Sequence, residues 1–196
     1  MSTWSDRLWG QACPSLQWRG IICLAYCCGL RSGEILNLTW SDIDFASEEL
    51  RVLDKPDRGG MHKWTPKDKD PRVIPVPTEA VGLLTALYAI ARDRQTYVFV
   101  NSKGPAAGDR VKRQNTWRDF HAIARRAGLP TCSLHHLRKT WCTNLAGSLP
   151  MHVVQELAGH SDIRTTRQFY VKIPPEQMAR ARRAIDSLVG PDLATE

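Results

Sequence analysis

Two ionisable side chains one helical turn apart give this sequence its clearest chemical signal. His135 and Arg138 are three positions apart, so on a helix their side chains would converge on one ligand. His160 follows a glycine, Tyr170 lies in a polar segment, and a second arginine, Arg31, lies far upstream. Two permanent cations, two imidazoles and one phenol form a set that could attack a phosphodiester without a metal ion.

Tyr170 is the tyrosine whose surroundings least resemble a protein core. The other three are Tyr26 in an apolar helix, Tyr88 on an apolar helix face and Tyr97 in a hydrophobic strand. Each of these three is predicted to be a core residue. A phenol with a pKa near 10 is a poor nucleophile at neutral pH. Nearby cations would lower that pKa and stabilise the charge that develops on the phosphate, so Tyr170 is the predicted nucleophile.

Two further side chains could assist this chemistry. Glu34 follows Arg31 at the (i, i+3) spacing, so its carboxylate could hold the guanidinium in one pose. Lys67 lies in a charged loop before a predicted strand, where its ammonium group could protonate a leaving alkoxide. Taken singly, each group has an ordinary explanation: a capping histidine, a surface arginine or a solvated lysine. The hypothesis therefore depends on whether the fold brings the set together.

The net charge favours a polyanionic partner. It is +7, with a pI of about 9.3, a balance that often accompanies nucleic-acid binding. The charge is uneven, because residues 103–139 contain nine lysines or arginines and only two aspartates. That local field would attract a phosphate backbone, although a merely soluble basic protein is the alternative.

The six cysteines show no paired spacing of the kind that binds a metal ion. Cys23 and Cys27 are one helical turn apart in an apolar run, which predicts core packing and free thiols in a reducing compartment. The sequence shows no signal peptide, and its longest uncharged apolar run, residues 20–30, is shorter than the about 20 residues that span a bilayer. We therefore expect a cytoplasmic protein without a membrane partner.

The hydrophobic pattern predicts a mainly α fold with a small antiparallel β-sheet, that is, an α+β class. Helices are predicted over residues 15–29, 33–40, 78–92, 114–127, 134–147, 151–158 and 175–188. Strands are predicted over residues 49–54, 72–76 and 97–100, with a further short one near 63–65. Gly29 and Gly159 should end helices, Thr78 and Ser133 should cap them, and Pro75 should mark an edge strand.

The motifs around these residues resemble the catalytic domain of the tyrosine recombinases of the phage-integrase type. The first is GLRSGEILNLTWSDI at 29–43; the second combines HHLRKT at 135–140, LAGHSDI at 157–163 and two threonines at 165–166. The resemblance extends over about residues 15–172. Each fragment is weak alone, but the joint pattern is highly specific. It implies the tyrosine recombinase catalytic-domain fold and double-stranded DNA as substrate.

The same resemblance implies a role for each site residue. Arg31 and Arg138 would clamp the scissile phosphate, while His135 and His160 would hydrogen-bond its oxygens and manage protons. Arginine suits this task because its charge is permanent and its donors fork onto two oxygens.

Three further roles come with the resemblance. Lys67, five residues before an arginine, would protonate the 5′-hydroxyl, and Tyr170 would form the 3′-phosphotyrosyl bond. Glu34 would support Arg31. The covalent bond conserves the phosphodiester energy, so no ATP, metal or other cofactor is expected, nor any small-molecule substrate. Phosphate contacts are expected from basic residues outside this set: Lys69, Arg110, Lys112, Arg113 and Lys139.

Two features depart from the family pattern. The nucleophile usually comes nine residues after the histidine of the Gly-His pair, but Phe169 holds that place here and Tyr170 is tenth. The helix that carries Tyr170 should therefore shift by one residue. We also expect residues 1–174 to form the catalytic domain and 175–196 a C-terminal helix and tail, with the usual N-terminal DNA-clamping domain absent.

The sequence alone leaves several hypotheses about function open. The leading one is a site-specific recombinase that acts as a homo-oligomer, a tetramer, on DNA. A type IB topoisomerase-like relaxase and a non-catalytic DNA-binding module are the alternatives. A metal-dependent nuclease that uses His135 and His136 is the weakest, because adjacent helical residues point about 100° apart. The C-terminal helix could pack on a neighbouring protomer or on its own chain.

Overall fold

A computed structural model describes residues 12–13, 15–57, 59, 61–66, 71–102, 105–146, 148–159 and 175–187 of the 196-residue chain. The order is α1 (Leu16–Cys27), α2 (Ser32–Leu36), a 3₁₀ turn (Trp40–Asp42), β1 (Ile43–Asp44), β2 (Glu49–Val52), β3 (Arg72–Pro75), α3 (Thr78–Ala89), α4 (Arg113–Arg126), α5 (Leu134–Ala146), α6 (Met151–Ala158) and α7 (Pro175–Asp186). The predicted mainly α fold with a small antiparallel sheet is confirmed.

Helix α1 lies at the centre of the core and packs against α2, α3 and α5. All of its residues from Gly20 to Cys27 are buried, which explains its nearly continuous apolar sequence. The side chain of Ser15 caps its start, and Gly29 follows its end with a φ of +61°. Cys23 and Cys27 are both buried with their Sγ atoms 3.8 Å apart, as predicted for core packing.

The sheet is antiparallel, with the strand order β1-β2-β3. Leu50 in β2 pairs with Ile43 on one side and Ile74 on the other, and these apolar positions are buried. Pro75 lies in the edge strand β3, as predicted, since proline lacks the N–H that an inner strand needs. Strand β3 contacts α6 and α7, and Arg72 at its start donates to Leu157 O, so the sheet lies beside the end of α6.

Helix α5 carries the apolar stripe that the sequence predicted. Leu134, Leu137, Trp141 and Leu145 are all buried, and Trp141 is completely enclosed. The stripe packs against α1, so the polar positions of α5 have fixed orientations relative to the core. Helix α7 packs on the chain's own α5 and β3 and buries Ala181 and Ile185.

Several predicted elements differ from the structure, and the short strand predicted near 63–65 is only an isolated bridge between Trp64 and Lys55. The helix predicted over 33–40 ends at Leu36, because a separate 3₁₀ turn follows in which the Thr39 backbone N–H donates to Asp42 Oδ2 (2.8 Å). Pro77, rather than Thr78, precedes α3, and Thr78 is its first helical residue. The strand predicted over 97–100 is reduced to isolated bridges at its two ends.

Tyr88 was wrongly predicted to be a core residue. It lies near the end of α3 and is 58% exposed, and its ring makes a T-shaped contact with Trp40 at a centroid distance of 5.0 Å. Tyr26 and Tyr97 are buried, as predicted. In the described part of the chain, none of the helices is both long enough and apolar enough to cross a membrane.

Candidate active site

Three arginines from three separate elements converge on the C-terminal end of α6. Arg72 Nε donates to Leu157 O (2.9 Å), Arg138 Nη2 donates to Ala158 O, and Arg31 Nη2 donates to Gly159 O (2.7 Å). The three acceptors are consecutive backbone carbonyls. The last carbonyls of a helix lack intrahelical partners and carry partial negative charge, so cations are favourable partners for them.

Glu34 joins two of these arginines. Its Oε1 accepts from Arg31 Nη1 (3.1 Å), and its Oε2 accepts from Arg72 Nη2 (2.6 Å) and from the Arg31 backbone N–H (2.8 Å). Burial would raise the pKa of this carboxyl, but the charges of Arg72 and then Arg31 outweigh burial and hold the pKa below its usual value. Glu34 therefore stays ionised and can orient both guanidinium groups.

Arg138 is the most deeply buried of the three cations, with 2% of its surface exposed. It lies on α5 and also donates through Nη1 to Gly29 O, so it joins α5 to the turn after α1 and to the end of α6. Burial, together with the positive charge of Arg31, lowers its pKa to about 10. The guanidinium is therefore still charged at neutral pH.

The two neighbouring histidines of α5 have different environments. His135 is exposed on the turn before Arg138, and partial loss of water, followed by the charges of Lys139 and Arg138, lowers its pKa. Its imidazole is therefore neutral at pH 7. His136 instead accepts from the backbone N–H of Ser133 (3.1 Å) at the start of the helix. The helix-capping role considered for His135 belongs to its neighbour.

Two glycines permit the close approach of the arginines. Gly159 has a φ of +63°, and a Cβ there would lie 2.8 Å from Arg72 Nη1. Gly29 has a φ of +61°, and a Cβ there would lie 2.2 Å from the Trp141 ring. Both positions require glycine for the backbone conformation and for space.

The structure brings Arg31, Glu34 and Arg138 together and places His135 on the same turn of α5 as Arg138. Four predicted residues lie outside the described residues: Lys67, Lys69, His160 and Tyr170. Arg31 binds the carbonyl of Gly159, and His160 is the next residue in the sequence.

The predicted DNA contacts divide into two groups. Lys112, Arg113 and Lys139 are exposed, and the first two border an open depression of about 560 Å³ beside Trp117. Arg110 is half-buried, and its guanidinium donates to Asn37 Oδ1. An arginine already bound to a side chain of its own protein is less available to a phosphate than the exposed cations are.

Sequence reasoning missed two buried ion pairs near the site. Arg72 served only as a landmark for Lys67, although it lies within the arginine cluster. Lys55 is buried and paired with Asp42, which also accepts from the hydroxyl and backbone N–H of Thr39. The available signal was a charged residue at or next to the end of a predicted strand, because such a residue needs an ionic partner if packing buries it.

The free energy of unfolding is expected to depend on pH through Glu34. Its folded-state pKa is lower than in the unfolded chain, so its contribution is complete above the ordinary glutamate pKa of about 4.3 and is lost as the pH falls through the folded-state value. Urea unfolding from about pH 3 to pH 7 should therefore show a smaller acid-side slope for Glu34→Gln. The control is Glu49→Gln in β2; an equal change there would contradict the assignment.

The chain is similar to a known protein family and to several curated proteins. The sequence model of the phage integrase family matches residues 6–176. A tyrosine recombinase XerC-like protein of Caldanaerobacter subterraneus is 31% identical over 192 residues, covering 87% of this chain and 49% of that protein. Tyrosine recombinase XerA of Thermococcus onnurineus is 30% identical over 175 residues, covering 87% and 57%. The chain thus spans about half the length of these curated relatives.

Solved structures share the fold. The integrase of transposon Tn1549, in complex with transposon right end DNA, superposes with a TM-score of 0.68 at 21% identity, covering 91% of this chain and 62% of that one. The integrase from mycobacterium phage Brujita gives 0.68 at 23% identity, covering 94% and 55%. XerA recombinase gives 0.65 at 22% identity, covering 97% and 65%.

Proposed function

This chain belongs to the phage integrase family, and we propose that it cuts and rejoins DNA strands at a specific site through a covalent phosphotyrosyl intermediate. The observation that carries this proposal is the convergence of Arg31 and Arg138 on the end of α6, directly before His160 in the sequence. Arginines held on opposite surfaces could not bind one phosphate.

The proposed reaction needs no cofactor. The Tyr170 phenolate attacks the scissile phosphate and forms a 3′-phosphotyrosyl bond, while the 5′-oxygen leaves and takes a proton from Lys67. A free 5′-hydroxyl then attacks the phosphotyrosine, which restores the phosphodiester and releases Tyr170. Because one ester replaces another at each step, the bond energy is conserved and ATP is not consumed.

The charges around the site suit the developing phosphate charge. Arg31 and Arg138 supply permanent positive charge, fixed in advance by Glu34 and by backbone carbonyls, so little reorganisation is needed during reaction. Two of the five N–H donors of Arg138 are accounted for by the carbonyls it contacts. His135, neutral at pH 7, can hydrogen-bond the phosphate or accept a proton.

Double-stranded DNA is the proposed partner. Lys112, Arg113 and Lys139 are the exposed cations that would contact its backbone, and Lys69 belongs to the same proposal. Recombination joins two duplexes, each cut on both strands, so we propose assembly as a homo-tetramer on DNA.

A covalent trap tests this function. The full chain is incubated with a pool of nicked duplexes of randomised sequence, in which cleavage beside the nick releases a short fragment and prevents religation. We expect a protein–DNA adduct that resists SDS, forms in EDTA and disappears in Tyr170→Phe. The matched control is Tyr88→Phe, which removes a hydroxyl from an exposed tyrosine elsewhere and should form the adduct normally.

Other outcomes would identify the alternatives. Retained DNA binding in a mobility-shift assay, with no adduct for any duplex in the pool, would contradict the enzymatic proposal and favour a binding module. Relaxation of supercoiled plasmids of arbitrary sequence would favour a topoisomerase-like relaxase. An adduct that forms equally well in Tyr170→Phe would refute the assignment of the nucleophile.

A further inference from the structure

Arg72, at the start of β3, is the one arginine of the cluster to which the proposed reaction gives no task. We propose that it is a positioning residue, which holds the last turn of α6 in register with Arg31 and Arg138. This inference rests on the proposed function, because its test is the rate of DNA cleavage.

The contacts of Arg72 join three elements of the fold. Its Nε donates to Leu157 O (2.9 Å) at the end of α6, and its Nη2 donates to Glu34 Oε2 (2.6 Å) on α2. The side chain is almost fully buried, with 6% exposed. One guanidinium therefore fixes β3, α2 and α6 relative to one another through donors that point in set directions.

Both partners of Arg72 are adjacent to the groups that hold the proposed phosphate-binding arginines. Glu34 accepts from the guanidinium of Arg31, and Leu157 precedes the two residues whose carbonyls are bound by Arg138 and Arg31. A displacement of Arg72 would therefore move the supports of Arg31 from both sides. Misplacement of reacting groups by about 1 Å can cost on the order of 100-fold in rate.

The chemistry requires arginine at this position. A lysine would keep the positive charge opposite Glu34, but a single ammonium group cannot reproduce the separated Nε and Nη2 donors of the planar fork. The approach also depends on Gly159, since a Cβ there would lie 3.1 Å from Arg72 Cζ. Arg72 and Gly159 thus fit each other as a matched pair.

The test compares Arg72→Lys with wild type on the duplex that forms the adduct. Cleavage is measured in single-turnover experiments, and DNA affinity by mobility shift, at a temperature at which circular dichroism shows the variant to be folded. We expect cleavage to fall about 10- to 100-fold while the Kd changes by less than about twofold. The control is Arg51→Lys, an exposed arginine of β2 paired with Asp44, which should leave both values unchanged.

A second comparison covers the case in which Arg72→Lys does not fold. The double variant R72M/E34Q removes both charges of the Arg72–Glu34 pair, so no unpaired charge is left at Arg72. Arg31 loses its Glu34 partner equally in the double variant and in Glu34→Gln, so that loss cancels in the comparison. It should cleave at least about 10-fold more slowly than Glu34→Gln alone, with similar DNA affinity.

The outcomes separate the inference from the proposed function. Cleavage by folded Arg72→Lys within about twofold of wild type would overturn the positioning role alone. Loss of DNA affinity in parallel with cleavage would also overturn it, because a displaced binding surface would then explain the result. If wild type itself forms no adduct, the proposed function fails and the inference fails with it.

Discussion

Arg138→Ala is expected to lower the rate of covalent adduct formation by about 100- to 1,000-fold, the usual cost of removing one oriented donor from a site of developing negative charge. The guanidinium is buried and is held in place by the carbonyls of Gly29 and Ala158. A water molecule that entered the space left by alanine would carry no positive charge and would not be oriented in the same way. The measurement is single-turnover trapping on a nicked duplex, with the Kd for the same DNA determined in parallel.

Loss of Arg138 should also lower stability, and this effect must be separated from the chemistry. Two buried carbonyls lose their partner, each at a cost of about 1–3 kcal/mol. The rate is therefore compared at a temperature at which the variant is folded. Arg51→Ala, which removes an exposed arginine of β2, is the control for loss of charge. An unchanged cleavage rate in folded Arg138→Ala would contradict the proposed role.

Gly29→Ala is expected to destabilise the fold by about 2–5 kcal/mol and to disrupt the site at the same time. Its φ of +61° is strained for any residue with a Cβ, and that Cβ would lie 2.2 Å from Trp141 Cε3. Because Trp141 is fully enclosed, the ring cannot move without displacing α5. The Gly29 carbonyl also accepts from Arg138, so cleavage should fall even in the folded fraction.

Gly82→Ala provides the matched control for this prediction. Gly82 lies within α3, and no atom lies within 4 Å of the position its Cβ would take. Alanine is the better helix former, so this change should stabilise the protein by about 0.5–1 kcal/mol. Urea unfolding of the two variants measures both effects. Similar free energies of unfolding for the two would show that contact with Trp141 does not determine the cost at Gly29.

Elements with strong local signals could be predicted from the sequence. The spacing of Leu134, Leu137, Trp141 and Leu145 repeats with the helical period, and all four are buried as that period requires. Gly159 ends α6 in the left-handed conformation, which glycine adopts without strain. These features depend on residues that are close together in the chain, so the local sequence contains the information needed to predict them.

The predictions of secondary structure and burial were wrong where side-chain contacts outweigh the local hydrophobic pattern. The helix predicted to run to Trp40 ends at Leu36 because Thr39 and Asp42 cap a separate 3₁₀ turn after it, an interaction that helix propensity does not contain. Tyr88 follows the apolar spacing of α3 but lies near its end, where the rings of Trp40 and Phe45 cover only part of its surface. Periodicity identifies a face of a helix, and the packing around it decides how far burial extends.

In the candidate site, too, residues with a local sequence signal could be predicted and those held by distant contacts could not. The types and spacing of Arg31, Glu34, His135 and Arg138 singled them out. Arg72 was missed because its partners, Glu34 and Leu157, lie 38 and 85 positions away in the chain. Such contacts form only when the strands and helices pack together, so no local sequence motif predicts them.

The three arginines make the length of α6 a functional constraint. Each added or deleted residue in a helix turns everything beyond it by about 100° and shifts it by about 1.5 Å. A single deletion between Met151 and Leu157 would therefore present different carbonyls to all three guanidinium groups. Insertions in the connection between α5 and Pro150 change neither the helix that carries Arg138 nor α6, so natural length variation in this part of the chain should accumulate in that connection.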